Sequence, residues 1–317
     1  MITDPTGRVG LSTLGWVDHG SLTRFRGTSE LVDVVSLSDA DYLALHRGRD
    51  DHFAVQHNWG ASRFRVTAHR FEDPERVLAS VDVDGWTARS SGDAAVWSSL
   101  PGVYVGVLDD DATGAAGYFA VELAKGEPQV ARLDWFDDDS FDHGYQGVVS
   151  VAELTAGVLV YGVQRSSELV VCDASSQRVL QKIPLAGRSG NPRPLLSRST
   201  GRLWVIDYDT LLRLDRSTFR LEASARLQPA PDRTAMFVGE PWLADDEKTL
   251  IVSRPFSGDV VVVDANSLTI ATTVALGSQP IEAARLGDQL IARDWKTGAA
   301  LGTRLPYRGR RRRWFRR

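Results

Sequence analysis

The sequence predicts an all-β protein, a β-propeller of four-stranded blades with seven blades favoured and six as the alternative. Three observations lead to this prediction. A pattern of two short strands joined at an aspartate turn recurs at distances typical of a propeller blade. The middle strands are apolar on both faces, as expected for a sheet stacked between two others. No stretch of 12 or more residues holds a helical apolar stripe free of Gly, Pro and β-branched clusters.

The repeat is clearest in two segments, 167–185 and 258–276, which align without a gap. Each has an apolar run, an Asp, a short polar stretch and a second alternating strand, a pattern that indicates a β-hairpin. A weaker copy covers 211–227, and three more lie further towards the N-terminus. Successive landmarks are 44, 53, 51, 42 and 49 residues apart, about the length of one blade. The landmark residues are Phe25, His69, Glu122, Asp173, Asp215 and Asp264.

Each blade should contain a central pair formed by its second and third strands. We assign seven such pairs, near residues 10–26, 52–70, 102–122, 157–173, 202–215, 249–264 and 289–304. First and fourth strands are clear in only six blades each, and the deficits fall at the two ends of the chain. Closure of the ring by N- and C-terminal strands explains this distribution, because closure removes exposed sheet edges.

One half of the chain also carries a recognisable motif. Gly258-Asp-Val-Val-Val-Val-Asp264-Ala-Asn-Ser267 is a hydrophobic strand ending in Asp before a Ser/Thr-rich hairpin, and Gly277-Ser-Gln-Pro280 is a Gly-x-x-Pro loop. With these motifs, residues 160–303 resemble the YVTN-type β-propeller repeats of prokaryotes. Leu250-Ile-Val-Ser-Arg254 stands where that family has Val-Tyr-Val-Thr-Asn, so the signature itself is absent. The resemblance implies a fold and ligand binding at the loops that lead into the first strands, but no particular activity.

Charge divides the chain into two parts. The formal net charge is −4, but the last ten residues hold seven arginines and no acid, so residues 1–307 carry −11. We predict a single propeller domain over 1–307 and a disordered Arg-rich tail over 308–317. The one cysteine, Cys172, excludes an internal disulfide, and its apolar strand predicts a packed thiol. With no signal segment at residues 1–10, the expected location is the cytoplasm.

Candidate binding and catalytic residues lie mainly in the loops that lead into the first strands. The predicted binding residues there are Trp86, Arg89, Asn191, Arg193 and Arg233. The candidate catalytic residues are His143, Asp137, Asp139 and Glu282. Asp142 precedes His143 and could orient it as a general base, although a turn pair without a catalytic role is favoured.

Metal binding is considered at two places. Asp137, Asp139 and Asp142 offer carboxylates of the kind that Ca²⁺ prefers, but their spacing matches no EF-hand, so a solvated acidic loop is favoured. Four histidines crowd one blade without a His-x-His or Cys partner, which favours ordinary strand-end histidines over a zinc site. They are His46, His52, His57 and His69. No cofactor is therefore predicted, with a divalent cation as the alternative.

Function is predicted from the fold and from the absence of catalytic and nucleotide-binding motifs in the sequence. The sequence contains no nucleophile elbow, phosphate loop or dinucleotide fingerprint. The leading hypothesis is a non-enzymatic scaffold that binds a protein partner. The first alternative is a hydrolase or lyase with a site at the mouth of the central channel, with or without a divalent cation. A small-molecule ligand in the channel is a further possible partner. The second alternative is docking to nucleic acid or an anionic membrane through the tail residues Arg310, Arg311, Arg312, Arg313 and Trp314.

Overall fold

The computed structural model describes residues 1–305, except for 16, 27–29, 49–50, 59–60, 86–87, 99–101, 110–115, 124–128, 134–147, 164–167, 186–191, 198–199, 228–237, 240 and 245. The described residues form seven β-sheets and one short 3-10 helix. Within these ranges, no helix is long and apolar enough to cross a membrane.

The first four blades each contain four strands in chain order. Blade 1 is formed by β1 (Ile2–Thr3), β2 (Val9–Ser12), β3 (Ser21–Arg26) and β4 (Glu30–Ser36). Blade 2 is formed by β5 (Tyr42–Arg47), β6 (His52–His57), β7 (Arg63–His69) and β8 (Val77–Asp84). Blade 3 is formed by β9 (Ala88–Trp97), β10 (Val103–Asp109), β11 (Ala116–Glu122) and β12 (Gln129–Arg132). Blade 4 is formed by β13 (Val148–Thr155), β14 (Val158–Val163), β15 (Glu168–Asp173) and β16 (Arg178–Pro184).

The remaining three blades follow the same order. Blade 5 is formed by β17 (Arg193–Leu196), β18 (Arg202–Asp207), β19 (Thr210–Asp215) and β20 (Leu221–Arg226). Blade 6 is formed by β21 (Trp242–Leu243), β22 (Thr249–Arg254), β23 (Asp259–Asp264) and β24 (Ile270–Ala275), with the 3-10 helix η1 (Pro255–Ser257) between β22 and β23. Blade 7 is formed by β25 (Pro280–Leu286), β26 (Gln289–Asp294) and β27 (Ala300–Arg304).

These sheets confirm the predicted seven-bladed propeller. Every sheet is an antiparallel meander, and the seven central strand pairs begin and end within one residue or so of their predicted positions. Blade 7 has three strands among the described residues, so the missing fourth strand falls at the C-terminal end, where the sequence showed a deficit.

The core lies between the blades. Seven hydrophobic clusters occur in the described residues, one for each pair of neighbouring blades. The central strands supply both faces of these clusters: Leu203 packs towards blade 4 and Trp204 towards blade 6. Trp204 is 1% exposed and also donates a hydrogen bond from Nε1 to the backbone oxygen of Ala265 at 3.2 Å. The doubly apolar strands therefore stack the sheets around the ring, as the sequence predicts.

The repeated aspartates close the hairpins between third and fourth strands. Asp215 Oδ1 accepts backbone hydrogen bonds from Ser217 at 3.0 Å and Thr218 at 2.8 Å. Asp264 accepts equivalent bonds from Asn266 and Ser267. An aspartate side chain can satisfy two turn amides at once, which explains why this residue type recurs at this position.

The ring closes between blade 7 and blade 1. Strands β1 and β2 lie against β25, and Phe25 packs with Leu286 and Ile291. Buried Arg293 crosses the same boundary, donating to Thr23 Oγ1 at 2.7 Å and to the Asp18 carboxylate at 2.9 and 3.1 Å. In the described residues each end keeps its own strands, so the two ends meet through side chains and not through a shared sheet.

Candidate functional site: the mouth of the central channel

The meander places two kinds of connection on one face of the ring, which we call the loop face. They are the loops that lead into each first strand and the turns between second and third strands. A cavity of about 400 Å³ opens at the centre of this face, and we call it the mouth cavity. Its wall comes from first strands of blades 2, 5 and 7 and from turns of blades 1, 5 and 7. This volume is within the range of ligand-binding pockets.

The wall of the mouth cavity combines apolar and polar surface in similar shares. Three aromatic residues contribute to it: Tyr42 begins β5, Tyr208 is in the β18–β19 turn, and Trp295 follows β26. Tyr208 has a left-handed backbone (φ 53°), and its carbonyl oxygen accepts a hydrogen bond from Val238 at 3.0 Å. The turn that carries Tyr208 is therefore tied to the segment that leads into blade 6.

Glu282, a predicted catalytic residue, lines the mouth cavity but already has two partners. Its Oε2 accepts a hydrogen bond from Ser12 Oγ at 2.7 Å and lies 3.1 Å from the Met1 amino group. Both partners come from blade 1, whereas Glu282 belongs to β25 of blade 7. The carboxylate thus links the two blades that close the ring, and its negative charge is compensated within the protein.

Arg193, a predicted binding residue, lines the same cavity as the first residue of β17. It is half-buried, and its guanidinium has neither an ion pair nor a hydrogen bond in the part of the chain that the structure describes. A cation that is partly removed from water without a partner loses hydration, so it favours the approach of an anion.

Asp294 holds the loop face together beside the cavity. Its Oδ2 accepts hydrogen bonds from the backbone nitrogens of Ser278 at 2.7 Å and Gln279 at 2.8 Å, and its Oδ1 accepts one from Thr297. Burial acts to raise the pKa of Asp294, but these hydrogen bonds outweigh it and hold that pKa below its ordinary value. The next residue, Trp295, donates its backbone N–H to the Gln279 oxygen at 2.8 Å, which fixes its place at the cavity.

Large apolar side chains are exposed on the loop face, and one of them, Trp295, also lines the cavity. Val17, Phe256 and Trp295 have 46%, 39% and 48% of their surface exposed. Each lies in the turn between the second and third strands, in blades 1, 6 and 7 respectively. Val17 also lies beside Gly298 of the Trp295 turn, so the exposed residues of blades 7 and 1 are neighbours.

The structure brings two of the predicted site residues together, Arg193 and Glu282, and both line the mouth cavity. Arg89 is in strand β9 of blade 3, and its side chain is outside the description. The other predicted residues lie outside the described residues: Trp86, Asp137, Asp139, Asp142, His143, Asn191, Arg233, Arg310, Arg311, Arg312, Arg313 and Trp314.

Sequence reasoning missed the aromatic wall, because it considered only the loops that lead into first strands. Tyr208 and Trp295 lie in turns between second and third strands. In an antiparallel meander these turns reach the same face, so the topology was the signal that could have found them.

The four histidines of blade 2 lie on β5, β6 and β7. His52 and His69 are paired across β6 and β7, and their rings stack with centroids 5.4 Å apart. His69 Nε2 and Gln56 Nε2 both contact Thr67 Oγ1 at 2.7 Å. Among the described residues, no group of three or more His, Cys, Asp or Glu side chains is arranged to hold a metal ion.

Comparisons with known proteins place the chain among β-propellers. It is similar to the propeller domain of Cps50 (Swd1) from Myceliophteria thermophila, with a TM-score of 0.66, 13% identity and 96% of each chain covered. It is also similar to a chain of the mitotic checkpoint complex, with a TM-score of 0.63, 11% identity and coverage of 94% of this chain and 86% of that one.

A third similar structure is the periplasmic gluconolactonase of Pseudomonas aeruginosa, with a TM-score of 0.61, 19% identity and 94% of each chain covered. No protein-family model matches the chain. No curated protein matches its sequence. At these identities the structural similarities establish a propeller-repeat fold and leave the activity to be argued from the site.

Proposed function

We propose that the protein is a non-enzymatic scaffold that binds a protein partner with its loop face. The observation that carries this proposal is the exposure of Val17, Phe256 and Trp295 in equivalent turns of three consecutive blades. Scattered exposed apolar residues are ordinary, but several on one face of a molecule, one of them in the wall of a cavity, are typical of interaction sites. A partner laid across the mouth cavity would remove these side chains from water.

The outer strands expose aliphatic residues as well, including Leu180 on β16 and Leu221 on β20. They lie on the outer strands of separate blades, and neither lines the mouth cavity. They therefore serve as matched controls and not as a second candidate surface.

The similar structures are compatible with this proposal. One is a chain within a protein assembly, the mitotic checkpoint complex. Another is a gluconolactonase, so the hydrolase remains the alternative to be tested. Within the mouth cavity, however, the described candidate catalytic residue Glu282 is engaged by Ser12 and Met1, an arrangement that suits a structural role better than proton transfer.

Partner capture tests the scaffold. Tagged protein would be incubated with nuclease-treated lysate of the organism that encodes it, and retained proteins identified by mass spectrometry. The doubly substituted variant Phe256→Ser/Trp295→Ser should lose a partner that both the wild type and the control variant Leu180→Ser/Leu221→Ser retain. Residues 1–307 alone should retain that partner too.

Two results would overturn the proposal. One is a partner retained equally by the wild type and the Phe256→Ser/Trp295→Ser variant, which would place docking elsewhere. The other is the absence of any retained partner together with catalysed release of acid from gluconolactone in a pH-stat, which would favour the hydrolase alternative.

A further inference from the structure

We infer that the mouth cavity binds the carboxylate of a peptide segment of the partner through Arg193, with the adjoining apolar side chain held by the aromatic wall. The inference rests on the proposed function, because it assumes that a protein partner covers the loop face. It adds the chemistry of what the partner inserts.

The charges of the cavity select an anion. Glu282 is compensated by Ser12 and the Met1 amino group, at 2.7 and 3.1 Å. Arg193 has no such compensation among the described residues. The uncompensated charge of the described wall is therefore positive, although residues 1–307 as a whole carry −11.

The same charges favour a carboxylate over a phosphate. A guanidinium matches either anion through two parallel hydrogen bonds. An acidic protein repels a phosphate dianion more than a single carboxylate, since repulsion scales with the ligand charge. The expected segment is thus apolar with one acidic group.

Arg193 is presented from a rigid backbone. It lies between Pro192 and Pro194, whose rings fix their own φ angles. The carbonyl oxygen of Pro192 sits directly against the Cα of Gly162 in β14, where no Cβ could fit. Within blade 5, Arg193 pairs in register with Ile206 of β18, another residue of the cavity wall. A fixed backbone reduces the entropy lost when the guanidinium binds.

The size of the cavity limits what can enter. About 400 Å³ accommodates one or two side chains and excludes a folded domain. Tyr208 and Trp295 offer flat apolar surfaces with polar tips, which suit an apolar or aromatic neighbour of the carboxylate. Tyr42 is 5% exposed and stacks on His57, so it forms the back of this wall. Phe256 and Val17, outside the cavity, would remain exposed with a small free acid bound, so a longer peptide fits the whole surface better.

The test is selection of a random octapeptide phage library on the wild-type protein, on Arg193→Gln and on the control Arg178→Gln. Arg178 is an exposed arginine of the outer strand β16, away from the mouth cavity. Wild type and control should enrich peptides with one Asp, Glu or free terminal carboxylate among apolar residues. For a selected peptide, changing that Glu to Gln should weaken binding by about tenfold or more. Arg193→Gln should bind both forms equally.

A further variant and a small-molecule ligand test the geometry of the guanidinium contact and the size of the bound molecule. Arg193→Lys, which keeps the charge and loses the bidentate geometry, should retain an intermediate preference for the acidic peptide. Selection without enrichment of acidic peptides, or equal enrichment on Arg193→Gln, would overturn the inference. Glutarate binding as tightly as the selected peptide would identify a small-molecule site and overturn the peptide part. The scaffold itself would still stand if the Phe256→Ser/Trp295→Ser variant loses its partner.

Discussion

Cys172 is a free thiol in the core between two blades. It lies on β15 with none of its surface exposed, in the cluster between blades 3 and 4 that also contains Tyr118 and Tyr161. Burial raises the pKa of the thiol well above its ordinary value, because the thiolate would be poorly solvated there.

We expect the thiol of Cys172 to be unreactive in the folded protein. A disulfide reagent such as dithiobis-nitrobenzoate should label it only after denaturant unfolds the chain, since the thiolate is the attacking form. Rapid labelling of the native protein at about pH 8, where a free thiol starts to ionise, would show that the site opens.

Gly162 marks a place where two blades approach too closely for a side chain. A Cβ at this position would overlap the backbone oxygen of Pro192, which a change of rotamer cannot relieve. Gly162→Ala should therefore destabilise the fold by about 1–3 kcal/mol or more, the range for overpacking.

The matched control for Gly162 is Gly302 on β27, where an added methyl carbon would lie 3.6 Å from its nearest neighbouring atom. Urea unfolding of both alanine variants measures the difference. Equal stability of Gly162→Ala and Gly302→Ala would contradict the close packing of blade 4 against blade 5.

At the scale of strands, five of the blades share one irregularity, a β-bulge at the same position. In blades 1, 2, 4, 5 and 6 the third and fourth strands shift register once, just before the hairpin. Such bulges bend and twist an outer strand, which makes its free edge a poor template for pairing with another molecule. These five blades thus protect their outer edges in the same way.

These bulges define what the sequence could and could not predict about the strands. The central pairs were predictable because they are apolar on both faces, as in Leu203 and Trp204, and because Asp215 and Asp264 mark the turns. The extra residue of each bulge, such as Leu180 in β16, alters neither the composition nor the length of a strand noticeably. Its position depends on pairing with the third strand, which a single sequence does not specify.

Blade 2 has a buried histidine, His52, at its boundary with blade 1. His52 is 1% exposed, stacks on His69 and contacts Phe71 of the cluster between these blades. Burial, with a smaller contribution from the charge of His69, lowers the pKa of His52 from its ordinary value of 6.5 to about 3. Burial lowers the pKa of His69 as well.

The stability of the protein should therefore fall as the pH decreases from about 6.5 towards 3. In this window the unfolded chain binds a proton at His52 and the folded protein does not, so the stabilisation present above pH 6.5 is lost. The loss approaches about 1.4 kcal/mol per pH unit for one histidine. His52→Leu should remove this contribution and flatten the profile of urea unfolding against pH.

The control for His52 is His19→Asn, at an exposed position with a left-handed backbone that Asn tolerates. This variant should keep the wild-type profile. A His52→Leu profile parallel to that of the wild type would mean that the histidine is protonated without unfolding.

For the whole molecule, the number of blades followed from the sequence, and the architecture of the site did so only in part. Seven central strand pairs gave seven blades, and blade 7 lacks a fourth strand in the described residues, as the deficit near the C-terminus suggested. Arg193 and Glu282 were found because the loops leading into first strands meet at the channel. Glu282 and Ser12 are 270 residues apart in the chain, and no local sequence pattern predicts a hydrogen bond between such distant positions.

A buried cation, Arg293, joins blade 7 to blade 1 where the ring closes. Arg293 of blade 7 is 2% exposed and donates hydrogen bonds to Asp18 and Thr23 of blade 1. Removing one partner of a buried ion pair leaves the other uncompensated, so Arg293→Gln should lower the free energy of unfolding by about 3 kcal/mol. The exposed Arg285 of β25, substituted by Gln, should change the free energy of unfolding by about 0.5 kcal/mol or less.

Hydrogen exchange should show where Arg293→Gln weakens the protein. Amides of β2, β3 and β26 should lose protection in this variant, while those of β14 and β15 keep it. An equal loss of amide protection in all blades would mean that the ring unfolds as one cooperative unit. Arg293 would then not stabilise the contact between blades 7 and 1 in particular.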